Sequence, residues 1–497
     1  MSEIDPNHSR PLDVHRWSDH PKAKELRDAV WNQYFKDAFP EGGKGNKAKS
    51  EPKKQFKVLL LDLYVAWLED PELSIGVGMS NSAYKENARY NALFISAKML
   101  DVVNRAYEVG LIDKLTGTEN SRKTTRVRAS ALLVDIFIKT KLTVFDMTQK
   151  PPQKEVIVLS RNDYINGKKK RVEVDYSDSD FEPIIKMRQQ LEEYNALLWK
   201  TFIDIPTKIE PFIEQPYWDK KAGEIKTKRV RLSQDNKFVR RVFYRADWNL
   251  GGRFHGGWWQ RIKEDWRKQI YINDESTVEQ DYSGLHINLL YGLQGLQPQQ
   301  DPYLLDNLLS LDAKQQRKII KGLVLMGINA KNPRKAFSAF RQQQETGSLE
   351  KSLKDKQLQL LLDAFKEKHP AIADSVCTDM GVELMNVDGK ITASVINHFT
   401  KKNIPILTIH DSYIVQNKYS GELKSVMDKF VAEQLNGFHI NIDQEGFGAD
   451  QIQTFKNIDR TNALDYDYNN VTSYERTKEY RDRLQQHHDW LTKNKDT

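Results

Sequence analysis

Two carboxylates stand where apolar strands end. In TVEQDYSGLHINLLYG, residues 277–292, Thr277–Gln280 alternate as a strand would, Asp281 closes the strand, Ser283-Gly284 make a turn and an apolar helix begins. In IPILTIHDSYIV, residues 404–415, an apolar strand reaches His410-Asp411 and resumes as SYIV, a hairpin with an acid at its tip. A half-buried carboxylate without a nearby cation is costly, and a divalent metal removes that cost. The commoner roles for such acids are helix cap for Asp281 and turn former for Asp411. On neighbouring strands of one sheet the pair would instead meet and hold two ions about 3.5–4 Å apart, the arrangement for in-line phosphoryl transfer. A third segment, AKQQRKIIKGLVLMGINA (313–330), places Arg317 and Lys321 four residues apart on one helix face, opposite Ile319, Ile320, Leu323 and Val324. Such a face would grip a triphosphate, Arg as a fork and Lys as a point charge; the plain alternative is an ordinary surface helix.

These segments need a large scaffold. The 497 residues exceed one core, so two to four domains are expected. One cysteine, Cys377, excludes a disulfide framework and a cysteine-based metal site. No stretch reaches about 18 uninterrupted apolar residues, so neither a signal peptide nor a membrane span is expected, and the expected location is cytoplasmic. A net charge of +7 and a pI near 8.9 permit a nucleic-acid partner without demanding one. Ten Trp and twenty Tyr beside basic residues suit base stacking, although most aromatics fill cores.

Residues 1–54 read as a polar segment with a short helical stretch near Lys22–Phe39, ending in the flexible run EGGKGNKAKSEPKKQ. A helix follows in KVLLLDLYVAWLED. Ile95–Val109 is an amphipathic helix with Gly110 as its C-cap, then come the short LID, the polar loop TGTENSRK and the returning strand TTRVRAS. Over residues 55–150 this order resembles a winged helix-turn-helix, which implies nucleic-acid contacts by Lys98, Arg105, Arg122, Lys123, Arg126 and Arg128. The alternative is a helical packing module with a basic loop. Residues 151–240 hold a hairpin turning at Asn166-Gly167, a long amphipathic helix in EPIIKMRQQLEEYNALLWKTF and a basic alternating stretch, together a thumb or connector. Residues 241–456 would form the catalytic core, and 457–497 a solvated helix or tail.

Asp281-Tyr282-Ser283, Arg317 with Lys321, and His410-Asp411-Ser412, in this order, resemble motifs A, B and C of family A DNA polymerases and the related phage-type single-subunit RNA polymerases. ADWNLGGRFHGGWW, which ends about one strand earlier, is similar to the arginine-bearing segment that precedes motif A there, with Arg253 as the matching arginine. The resemblance covers residues 240–450 and implies an α+β fold: a polymerase-like palm on an antiparallel sheet with reduced helical fingers, preceded by the mostly helical winged-helix-like domain. It implies that Asp281 and Asp411 hold two Mg²⁺ ions, or Mn²⁺, and that Arg317 and Lys321 hold the incoming triphosphate. His410 would touch the primer's terminal nucleotide, Arg253 would lie near template or primer, and Tyr282 would face the nucleotide. The implied partners are template, primer and nucleoside triphosphates. His286, five positions after Asp281, stands where the DNA enzymes carry a bulky residue that blocks a ribose 2′-hydroxyl and the RNA enzymes carry glycine. A DNA product is therefore favoured, with an RNA polymerase or primase-like enzyme as the alternative. Asn329 and Ala330 occupy the positions of the family's Tyr-Gly, which puts Asn329 at the nucleotide and also fits a DNA-binding initiator with an inactive palm. A metal-dependent nuclease using Asp281, His410 and Asp411 would leave the Arg317–Lys321 face unexplained.

Overall fold

The computed structural model describes residues 3–6, 8–39, 51–80, 84, 89–117, 124–147, 154–165, 168–219, 224–298, 301–445 and 474–493. Helices and several small sheets are mixed, and the chain divides into two units.

The first unit comprises Met1–Glu155, Ser233–Asp235 and Gln485–Thr497. It contains β1 (Ser9–Pro11), α1 (Pro21–Tyr34), α2 (Glu51–Glu69), β2 (Ser74–Val77), α3 (Lys98–Glu108), β3 (Ile112–Leu115), β4 (Thr125–Ala129) and α4 (Ala131–Thr140). The sheet runs β1-β2-β4-β3, with β1 parallel to β2 and the other pairs antiparallel. α2 is mostly apolar, and every residue from Gln55 to Ala66 is buried, the polar Gln55, Lys57 and Asp62 included. Trp31 of α1 and Phe35, which caps it, stack on one another and on Phe39, against Phe56. Gly110 takes φ +73° after α3; its N–H reaches Tyr107 O while Leu111 N–H reaches Ala106 O, a Schellman termination. The two helices and the returning strand of residues 55–150 stand where the sequence placed them, while β2 between the helices carried no reading.

Two expectations here are corrected. Residues 1–54 are more than a polar segment: they supply β1 as well as α1, the helix read near Lys22–Phe39, and they bring cations to Asp62, which lies fully buried in α2. Arg10 meets both Asp62 carboxylate oxygens at 2.8 Å, and Arg16 reaches one at 3.3 Å. The last five residues of the supposed linker, 51–55, are already helical, while 41–50 lie outside the described residues.

The second unit comprises Val156–Leu232 and Asn236–Leu484. β5 (Ile157–Ile165) and β6 (Lys168–Glu173) form a hairpin whose turn, Asn166-Gly167, lies outside the described residues. Then come α5 (Ile184–Lys200), β7 (Ile203–Asp204), the hairpin β8 (Phe212–Asp219) and β9 (Glu224–Arg231), β10 (Val239–Phe243), β11 (Gly251–Gly256), β12 (Tyr271–Ile272) and β13 (Glu275–Tyr282). Helices follow as α6 (Leu285–Leu293), α7 (Ala313–Ile328), α8 (Pro333–Gln343), α9 (Asp355–Lys368) and α10 (Gly381–Lys401). The unit continues through β14 (Leu407–Ile409), β15 (Ser412–Gln416), α11 (Ser420–Gln434) and β16 (Ile442–Glu445). One sheet is β11-β10-β5-β6; a second is antiparallel, β14-β15-β13-β12-β7, with β16 also on β13; β8 and β9 form a third of two strands.

Residues 151–240 are therefore not a separate connector, because β10 pairs in parallel with β5 and joins them to the same sheet as β11. Nor is the described part of the C-terminal segment a solvated tail. Tyr480 is fully buried with its hydroxyl on Asp274, and Arg483 pairs with buried Asp204 at 2.7 Å. Among the described residues no helix is long and apolar enough to cross a membrane.

α10 crosses β11 backbone to backbone. A Cβ on Gly389 would stand 2.2 Å from Gly252 O, and Gly252 itself has φ +83°. Gly389→Ala should therefore destabilise the protein by about 1–3 kcal/mol, the usual cost of overpacking. Urea or thermal unfolding measures it; an unchanged midpoint would mean that the contact is loose.

Candidate active site

The register of the antiparallel sheet brings the acids together. β13 pairs with β15 so that Asp281 lies opposite Ser412, the residue after Asp411. Ile409 and Ser412 face each other across the two-residue loop His410-Asp411, and His410 takes φ +58°, a left-handed conformation that histidine tolerates better than most residues. On the other side of β13, β16 sets Asp443 directly opposite Asp281. Burial, then the charges of Asp411, Glu279 and Asp443, push the Asp281 carboxyl up to about 7, against one hydrogen bond from the Tyr282 N–H. The residue is exposed at the rim, so water screens part of that repulsion. Glu279, two residues back on the same face, is buried and gripped by Arg267 at 2.8 and 2.9 Å and by the Ser412 hydroxyl at 2.7 Å. Removing Arg267 alone would leave Glu279 buried and unpaired, at about 3–5 kcal/mol. The Ser283 hydroxyl donates to Asp443.

A wall of arginine and histidine stands beside the acids. Arg253 on β11 pairs with Asp388 on α10, whose carboxylate is 1% exposed. Burial raises the Asp388 carboxyl to about 6; Arg253 opposes the rise and Asp411 adds to it. Thr392 reaches Asp388 at 3.4 Å and shares a 2.9 Å hydrogen bond with the Tyr413 hydroxyl. Arg253 Nη2 and His286 Nε2 are both buried without a hydrogen-bond partner. Burial and then the Arg253 charge lower His286 to about 4, and the same two causes lower His410. His255, lowered to about 4 mainly by burial, shares a 3.0 Å hydrogen bond with the Tyr244 hydroxyl, and its ring lies 5.7 Å from that of His410. His286 and His255 are thus neutral near pH 7.

The other residues singled out from the sequence divide. Arg317 is held by Asp301 at 2.6 Å and lies 5.7 Å from the Tyr303 ring. The Tyr303 hydroxyl stands 3.7 Å from the Cβ position of Gly284, in the turn after Asp281, so Arg317 comes to this corner. Lys321, one turn on, is exposed with no hydrogen bond or ion pair among the described residues. Tyr282 does not face the cleft: it is 1% exposed and its hydroxyl donates to Met427 O at 2.8 Å. Asn329 ends α7, donates to Leu325 O at 2.8 Å and fills the space where a Cβ on Gly381 would go. In the first unit Lys98 pairs with Glu51, Arg105 donates to Tyr34 O at 2.9 Å and Arg126 to the Ser9 hydroxyl at 2.7 Å. Arg128 is 3% exposed between Glu72 and Asp113. Arg122 and Lys123 lie outside the described residues.

Asp443 and Asp388 were not singled out from the sequence. The alternation in INIDQE was the available sign of a strand carrying Asp443. Nothing local marked Asp388, which sits mid-helix. Asp281, Asp411 and Asp443 have no ion-pair partner among the described residues, which suits a cation. No three His, Cys, Asp or Glu side chains there form a ready-made metal cage.

Comparison with protein-family models and with curated sequences gives no match. Among solved structures, the POL domain of Pol1 from M. smegmatis in complex with DNA primer-template and dNTP is similar at 9% identity and a TM-score of 0.30. The match covers 43% of this chain and 47% of that chain, about half its length, and a likeness of that degree carries no argument.

The carboxyl pKa values give a test. Asp281 is raised in the folded chain, so its contribution to stability is complete below pH 4 and is lost as pH rises through about 7. Asp281→Asn should therefore raise the metal-free Tm at pH 8, with the gain shrinking towards pH 4. Mg²⁺ should raise the wild-type Tm at pH 8 and leave the variant unmoved. A lower Tm for the variant at pH 8 would assign Asp281 a purely structural role.

Proposed function

We propose that the chain is a template-directed nucleic-acid polymerase, with a DNA product favoured, and that its second unit carries the catalytic core. The observation that carries this reading is the lateral pairing of β13 with β15, which sets Asp281 beside the His410-Asp411 loop with no Lys, Arg or His side chain paired to either acid among the described residues. Asp281 and Asp411 would hold the divalent ions, with Asp443 as a third carboxylate facing the same place. Bound there, the ions would lower the pKa of a 3′-hydroxyl and neutralise the leaving pyrophosphate. Arg253, oriented by Asp388, presents a buried, unpartnered N–H beside His286 and His410, a geometry suited to a primer terminus. Lys321 has its charge available for phosphate, whereas Arg317 must first leave Asp301. His286, bulky and neutral, supports exclusion of a ribose 2′-hydroxyl. Arg105, Arg126 and Arg128 of the first unit are engaged with internal partners, so that unit enters the reading only as an accessory module.

The test is extension of a labelled primer on a template with Mg²⁺, with dNTPs and NTPs in separate reactions. Asp411→Ala should lower extension by at least about 100-fold while primer-template binding persists. Extension that survives the change removes the site assignment, and shortening of the primer makes the protein a nuclease. His286→Gly should raise NTP incorporation relative to dNTP; an unchanged ratio would take the sugar-gating role from His286.

A further inference from the structure

A buried cation of the second unit has no acid beside it. Arg241 on β10 is 5% exposed, and no ion-pair partner reaches it among the described residues. Its Nε donates to Gly252 O at 2.9 Å, and its Nη1 meets Met187 Sδ, a weak acceptor, at 3.1 Å. Nη2 has no acceptor among the described residues. The guanidinium lies 5.3 Å from the Phe243 ring and 5.4 Å from the Phe254 ring. Ring faces temper a buried charge, but an ion without a counter-ion remains costly. Burial accordingly pushes the Arg241 pKa down to about 10; Asp388 opposes the fall, although its own ion pair is with Arg253.

Arg241 lines a small pocket between α5, β11 and α10. Leu191, Phe254 and Ile396 give it apolar walls, and Gln190 and Asn397 are its other polar side chains. Both amides are part-buried, and neither has a hydrogen-bond partner among the described residues. A largely apolar recess with a few uncommitted polar groups is the form that ligand sites take. Water there would satisfy N–H groups and leave the charge as it is, whereas an anion would do both.

We propose that this pocket binds a small oxyanion, a carboxylate or phosphate group, with Arg241 as the fork that grips it and the Gln190 and Asn397 amides as further donors. An oxyanion is favoured over a halide because a planar guanidinium and two amides offer several N–H groups at once, which separate oxygens can share. The recess admits the charged head and leaves any larger body outside. Arg241 stands opposite Phe254 in the β10–β11 ladder and Val242 opposite Arg253, so the pocket is on the sheet face away from Arg253. The link between the two faces is Gly252, whose carbonyl accepts from Arg241 and which directly precedes Arg253. An anion that draws the guanidinium from Gly252 O loosens the strand that carries Arg253, and so weakens the grip on a primer. That regulation rests on the polymerase reading; the binding of the anion does not.

The experiment follows the Tm of the full chain against inorganic phosphate and against acetate, with chloride holding the ionic strength constant. The wild type should show a saturable rise of about 2 °C once the anion is in roughly tenfold excess over its Kd. A response to phosphate alone assigns a phosphate head, and one to acetate alone a carboxylate. Gln190→Ala with Asn397→Ala should weaken binding by about tenfold or more without loss of fold. Arg241→Met, an apolar side chain in place of the buried charge, should abolish the rise. The absence of a saturable rise in the wild type, or equal rises in wild type and variants, shows a general salt effect at most and overturns the proposal. Anion binding without any primer extension keeps the pocket and removes the polymerase reading; extension with an anion-insensitive Tm does the reverse. Where both hold, the anion should raise the KM for primer-template in the wild type and not in Arg241→Met, and an unchanged wild-type KM removes the coupling to Arg253.

Discussion

Like charges are crowded at the C-terminal end of β13, and the surrounding strands keep them there. Main-chain pairing to β15 on one side and β16 on the other fixes Asp281 against Asp411 and Asp443, so the three cannot spread apart without breaking a ladder. The nearby arginines offer no relief, because each is committed to another acid: Arg267 to Glu279, Arg253 to Asp388, Arg317 to Asp301. The chain thus pairs Glu279, Asp388 and Asp301 with arginines and leaves Asp281, Asp411 and Asp443 without an ion-pair partner among the described residues. A fold selected for stability alone would do the opposite.

The environment also sorts protonation states. His286 and His255 are held neutral by burial and neighbouring cations, while Arg253 keeps its charge within an ion pair. An anionic cluster therefore faces neutral imidazoles and one fixed guanidinium.

Much of this was legible because it depends on local pattern. Alternation followed by an acid located the end of β13, and the interrupted apolar run located the His410-Asp411 loop; neither needs knowledge of distant partners. The hairpin β5–β6 and the helix α5 were legible for the same reason. Tyr282 shows a rule applied too narrowly: adjacent strand residues point to opposite faces, so if Asp281 faces the cleft, Tyr282 must face the core. The rest depended on partners far along the chain. The polar N-terminal segment is tied to Asp62, about fifty residues later, and the C-terminal helix to Asp204 and Asp274. Asp388 is buried in a helix because Arg253, 135 positions earlier, stands opposite it. Pairings of that range leave no periodic trace.

The bare backbone crossing of Gly389 on Gly252 bears on how the site moves. Where two chains touch with no side chains between them, nothing soft is present to absorb a displacement. Asp388 is the residue before Gly389, and Arg253 is the residue after Gly252. Any slide of α10 is geared directly to the guanidinium beside the acids, so a ligand that shifts this helix at its far end would re-aim Arg253 without touching it.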